Sequence, residues 1–138
     1  MQKRFLQVSL RYLRKDVALM KWIVKKDDLE SYRAKFHGKL AGYAEEAKMI
    51  ALPTPKYFIV VVDEEKIHLI QLDLQFHEKG MQTIMIHEIT KLQLGGVVNK
   101  KVQIQTPSTT VKLMIKPLAI GIKEEQKALI DRFSRMSR

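Results

Sequence analysis

Cysteine is absent from the 138 residues, which removes disulfide frameworks and thiolate metal sites and leaves the redox compartment unmarked. Glycine and proline together fill only ten positions, too few for a disordered or low-complexity chain. Apolar residues make up 46% of the sequence, enough for one packed core. Nowhere do about twenty apolar residues run together, so the sequence offers no helix able to span a bilayer. Lys3 and Arg4 open the chain as a secretory signal would, but Arg11, Arg14 and Lys15 interrupt the apolar stretch that should follow. A cytoplasmic protein, at most peripheral at the inner face of the membrane, is the expectation.

Spacings that carry chemistry are also missing. His37, His68, His77 and His87 form no HExxH and no i, i+4 pair; a metal site would need the fold to gather three of them with an acid such as Asp63. Asp63, Glu64 and Glu65 are consecutive, as at a solvated hairpin tip, rather than opposed as an acid and a base. No serine sits in a nucleophile elbow. Gly95 and Gly96 are followed by Val97 and Val98, not by the Lys-Ser/Thr of a phosphate-binding loop. The sequence therefore predicts no enzyme, no metal and no cofactor.

What is present is charge, unevenly placed. The net charge is +10, and between Met1 and Lys26 the bases Lys3, Arg4, Arg11, Arg14, Lys15, Lys21, Lys25 and Lys26 face a single acid, Asp16. A positive field concentrated in one segment favours anionic partners, although a solvated face that aids solubility has the same composition. In the same stretch Leu6, Leu10, Leu13, Val17, Met20 and Val24 recur at spacings of four and three, which places them on one side of a helix. Phe5, Tyr12, Leu19 and Ile23 widen that arc, and Trp22 projects among the bases. Three readings of the helix stand open: packing on the rest of the chain or on another subunit, lying in the plane of an anionic membrane, or contacting nucleic acid. The last has no helix-turn-helix or aromatic ribonucleoprotein signature beside it.

Asp27 and Glu30 have the spacing of a capping box, so a second helix is expected from about Asp28. Its stripe is Leu29, Tyr32, Phe36, Leu40, Tyr43 and Ala47, interrupted off the stripe by Gly38 and Gly42. The two helices would form an amino-terminal hairpin over residues 1–45.

From residue 46 onward the period changes to two. Met49 to Leu52, Tyr57 to Val62, Lys66 to Leu74, Gln82 to His87, Lys91 to Leu94, Val102 to Thr106 and Thr109 to Lys116 read as seven short strands. Pro53-Thr54-Pro55, Asp63 to Glu65, the polar loop His77 to Gly80, Gly95-Gly96, Asn99-Lys100 and Pro107-Ser108 separate them. Within Lys66 to Leu74 the apolar phase shifts between Ile67/Leu69 and Ile70/Leu72/Leu74, which predicts a bulge or bend. Beyond Pro117, Ile122, Gln126, Leu129, Phe133 and Met136 share a helical face. Glu124 and Glu125 open that helix and Arg132, Arg135 and Arg138 close it, as the helix dipole favours.

The hairpin YFIVVVDEEKIHLIQLD (Tyr57 to Asp73), the segment MIHEITKLQLGG (Met85 to Gly96) with its acid-then-Ile step at Glu88 and Ile89, and the helix IKEEQKALIDRF (Ile122 to Phe133) together resemble bacterial members of the pleckstrin-homology-like superfamily. The resemblance covers residues 46–136. It implies an α+β fold, a seven-stranded antiparallel barrel capped by a C-terminal helix, here preceded by the helical hairpin. It also implies a non-enzymatic binding or scaffold domain whose partner is another protein or a second copy of itself. Eukaryotic relatives grip phosphoinositides with several bases around the first hairpin. Here the connection Pro53 to Lys56 has one, Lys56, and no Lys/Arg-X-Arg follows it, which argues against that specificity. The alternative is peripheral association with anionic lipid through Lys3, Arg4, Arg11, Arg14, Lys15, Lys21, Trp22, Lys25 and Lys26. Lys56, Lys100 and Lys101 are further anion contacts on loops and hairpins.

Overall fold

The structure, a computed structural model, describes residues 24–47, 56–73 and 75–138. A helix, α1 (Lys26–Lys35), is followed by seven strands. These are β1 (Leu40–Glu46), β2 (Tyr57–Val62), β3 (Lys66–Leu72), β4 (Glu78–Met85), β5 (Lys91–Gly95), β6 (Lys100–Gln105) and β7 (Thr110–Ile115). A 3-10 turn, Ile86–Glu88, links β4 to β5, and the helix α2 (Lys123–Met136) ends the domain. Every pairing is antiparallel, in the order β4-β3-β2-β1-β7-β6-β5. The architecture is α+β, a seven-stranded antiparallel sheet with a C-terminal helix, as expected. Among the described residues no helix is long and apolar enough to cross a membrane.

The start of the sheet differs from the expectation. The second helix does not run on to Ala47: it stops at Lys35, and Leu40–Glu46 is a strand between β2 and β7. Two local features end the helix. His37 takes a positive φ of 55°, and Gly38 lies so close to β2 that a Cβ there would be 2.3 Å from Val61 Cγ1. The glycines that weaken the helical reading are thus steric requirements of a chain turning into a sheet. The strand expected at Met49 to Leu52 lies outside the described residues, as does the first helix up to Ile23. The count of seven strands is reached with β1 in the first place.

At its N-terminus α1 is capped by Lys25 N–H donating to Asp28 Oδ2 at 2.9 Å, one residue on from the expected Asp27 pair. Glu30, expected to reach back, accepts from Arg33 instead. β4 begins at Glu78, so the segment His77 to Gly80 is largely strand, and the chain leaves it at Met85. The irregularity expected in the third segment is present, as a register shift between Gln71 and Leu72.

The core has two layers. Val60, Val62, Ile67, Leu69 and Ile84 meet Leu92, Val102, Ile104 and Leu113 in one buried cluster, so the sheet curls until its two ends share an interior. Leu129, Phe133 and Met136 of α2 enter the same cluster. On the opposite face Ala41, Tyr43, Ile59, Val61, Ile70 and Leu72 are covered by Val24, Leu29 and Ile122. Burial of β2 and β3 on both faces explains why Tyr57 to Val62 is continuously apolar and why β3 shows two apolar phases.

β1 joins the two halves. It pairs with β2 over six positions but with β7 only at Glu45↔Met114 and Glu46↔Leu113. Where that ladder ends, the side chain of Gln126 takes over: Oε1 accepts from Tyr43 N–H at 2.7 Å, and Nε2 donates to the carbonyls of Tyr43 at 2.8 Å and Lys116 at 3.1 Å. Gln126 is fully buried. One amide thus closes the seam between β1 and β7 and fixes α2 against it.

Candidate functional site

Strict alternation along β5, β6 and β7 sends Leu92, Val102, Ile104, Leu113 and Ile115 inward. The opposite phase must therefore face out. Register aligns it in rows across the three strands: Lys91, Gln105 and Thr110; then Gln93, Gln103 and Lys112; then Gly95, Lys101 and Met114. No aspartate or glutamate stands among these nine positions. The result is a polar sheet face with three lysines and three glutamines.

A shallow groove of about 710 Å³ runs along this face, lined by Gln93, Lys101, Gln103, Lys112, Ser137 and Arg138 among others. Arg138 is held there by its backbone, which exchanges hydrogen bonds with Leu92 on the outer edge of β5 at 3.1 and 3.3 Å. Lys91, Lys101 and Lys112 are exposed and have no carboxylate partner among the described residues. Some bases elsewhere are paired with acids. Lys26 lies 3.7 Å from Glu124 and 3.6 Å from Glu125, Lys35 is 3.6 Å from Glu78, and Lys116 is 3.1 Å from Glu45. The groove is thus a site of uncompensated positive charge with amide donors and acceptors interleaved, suited to carboxylate or phosphate groups.

Of the residues singled out from sequence, Lys3, Arg4, Arg11, Arg14, Lys15, Lys21 and Trp22 lie outside the described residues. Lys25 caps α1, and Lys26 is engaged with the start of α2. Lys101 lines the groove, whereas Lys100 turns back on its own hairpin, its Nζ donating to the carbonyls of Gly96 at 3.0 Å and Val97 at 3.4 Å. Lys56 lines a second cleft, of about 340 Å³, with Glu46 and Gln71, and Lys112 stands on the rim of both. Sequence reasoning missed Lys91, Lys112, Arg138, Gln93 and Gln103. The signal was legible: on three successive strands every second residue is polar apart from Gly95 and Met114, and none is acidic.

The remaining titratable groups serve the fold. Among the described residues no three histidines, aspartates or glutamates converge as metal ligands. His68 is buried, with Nδ1 3.2 Å from Thr83 Oγ1, Nε2 3.7 Å from Asp63 Oδ2 and its ring 5.0 Å from that of Phe36. Burial raises the Asp63 carboxyl, but the amides of Glu65 and Lys66, each 2.7 Å away, and the nearby His68 and Lys66 outweigh it, so its pKa is lowered. Tyr32 donates to Glu78 Oε2 at 2.9 Å; burial first, then that bond and charge, push its phenol up to about 12. Tyr43 is pushed higher still by burial and by the Glu45 carboxylate.

No protein-family model matches the chain. No curated protein matches it either. Among solved structures the chain is similar to the hSac2 domain from human phosphoinositide phosphatase Sac2, at 6% sequence identity and a TM-score of 0.49, over 82% of this chain and 83% of that one.

Proposed function

We propose that this chain is a non-enzymatic binding module of the pleckstrin-homology-like kind, whose β5–β6–β7 face holds an acidic protein partner. The strand order and the helix entering the shared core support the fold assignment, since a sheet paired in this order and curled on itself is the barrel that the resemblance implies. One observation carries the role: the nine outward positions of three paired strands include three lysines and no acid. Like charges directly opposite or diagonal on a sheet are unfavourable, so fold stability does not account for the pattern. A counter-charged surface does.

The same argument selects the kind of partner. A basic face does not pair with a copy of itself, so the partner on this face is a different molecule, and self-association, if it occurs, uses another surface. Electrostatic recognition of this type is steep in salt. Titration of a fluorescent mixed Asp/Glu peptide, followed by anisotropy, tests the reading. Binding is expected at low salt, and the double reversal Lys91→Glu with Lys112→Glu should weaken it at least about tenfold, a loss of about 1.4 kcal/mol. Equal affinity of parent and variant removes this face from the function.

A further inference from the structure

Five large apolar side chains stand exposed among the described residues: Met81, Val97, Val98, Leu118 and Ile120. Four of them lie on two segments that leave the sheet at one end. Val97 and Val98 form the tip of the β5–β6 hairpin, and Leu118 and Ile120 follow β7; the register Lys100↔Ile115 places the two exits side by side. Val97 is 93% exposed and Ile120 74%. Scattered single apolar residues need no explanation, but four of five gathered at one end do.

The tip is built to hold its shape. Lys100 Nζ ties the carbonyls of Gly96 and Val97 together, and Gly96 has a φ of +95°, with room for no side chain: a Cβ would lie 2.2 Å from the carbonyl oxygen of Asn99. The valines are therefore held outward on a closed turn. Bases around them outnumber acids, Lys26, Lys101, Lys116 and Lys123 against Glu45, Glu124 and Glu125. Glu45 is paired with Lys116, and Lys26 lies within reach of both Glu124 and Glu125 and so balances one of the two, while Lys101 and Lys123 have no carboxylate partner among the described residues.

We infer that this end of the domain inserts into the surface of an anionic lipid bilayer, with Val97, Val98, Leu118 and Ile120 entering the headgroup region and Lys101 and Lys123 resting on anionic headgroups. A protruding apolar tip with bases beside it suits a soft, negatively charged interface. A second copy of this chain suits it less, because a two-fold contact would set the same lysines against one another in a chain of net charge +10. The inference goes beyond the acidic-partner role and uses the end of the sheet; it shares Lys101 with the β5–β6–β7 face, so the two contacts compete for that lysine.

Co-sedimentation of the full chain with phosphatidylcholine vesicles, with and without phosphatidylserine, tests it. Binding is expected only with phosphatidylserine, and Val97→Asp with Val98→Asp should reduce it about tenfold or more, given the loss of apolar burial and the added negative charge. Lys123→Glu should reduce it several-fold, whereas Met81→Asp, on exposed β4, should leave it unchanged. In a Trp22→Phe background, Val97→Trp should shift its emission to the blue on these vesicles only. The proposal is overturned if the tip variant sediments like the parent, if neither vesicle is bound, or if the tip variant abolishes self-association in light scattering while vesicle binding persists.

Discussion

Replacing Gln126 with Leu separates a structural amide from an ordinary core contact. The side chain is fully buried and makes three hydrogen bonds, two to Tyr43 and one to Lys116, at the point where the β1–β7 ladder runs out. Leucine is of similar size and apolar, so little packing is lost. What is lost is the partner of one N–H and two carbonyls, all enclosed between α2 and the sheet. Each unsatisfied buried group costs about 1–3 kcal/mol, and a carbonyl with a second lone pair recovers part of that, so about 3–5 kcal/mol is expected in total. Domains of this size are stable by about 5–15 kcal/mol. With a urea dependence of about 1–3 kcal/mol per molar, the unfolding midpoint should fall by about 2 M. Gln126→Glu should be at least as damaging, because it retains the acceptor for Tyr43 N–H but removes the donor and buries a charge. A midpoint for Gln126→Leu within about 0.5 M of the parent would show that the seam closes without this amide and that α2 is held by Leu129 and Phe133 alone.

Two further outcomes concern titratable groups. Asp63→Asn should destabilise the protein by about 1 kcal/mol at neutral pH, since the amides of Glu65 and Lys66 then meet a neutral acceptor. The parent carboxyl is depressed in the folded state, so its contribution is complete above the ordinary aspartate range and disappears as pH falls through the folded value. Urea midpoints of parent and variant should therefore converge on acidification, and a gap that is constant with pH would contradict the assignment. Tyr32 should titrate at about 12, followed by NMR of its ring, and Glu78→Gln should bring it part of the way back towards ordinary tyrosine. No movement would leave burial as the sole cause.

Where one side of a strand is buried, the sequence shows it, because alternation survives: β5, β6 and β7 sit within a residue or two of their predicted positions, as does α2. β1 was illegible for a physical reason. Leu40, Tyr43 and Ala47 have helical spacing, and what makes Leu40–Glu46 a strand is remote in sequence: β2 and β7 on either side and α2 pressed against it. Gly42 records that contact, since a Cβ there would lie 2.6 Å from Leu129 Cδ2 and 2.9 Å from Gln126 Oε1. A local pattern carries no trace of partners so far along the chain.

The same contrast between strands locates the candidate site. β2 and β3 are apolar in both phases because Leu29 of α1, Val24 before it and Ile122 at the start of α2 cover their outer face. That face is already occupied by the chain itself. In β5, β6 and β7 the buried phase is apolar and the outer phase is mostly lysine and glutamine, with Thr110, Gly95 and Met114. Among the described residues this leaves the outer face of β5, β6 and β7 open, along with most of β4. The residues on that face are then selected by what they meet in solution, not by the core. Three lysines with no carboxylate partner among the described residues have an unfavourable mutual energy in the free protein, screened by salt but never reversed by it. An acidic partner would reverse its sign, which is why the proposed role of the β5–β6–β7 face rests on its charge pattern more than on the depth of the groove.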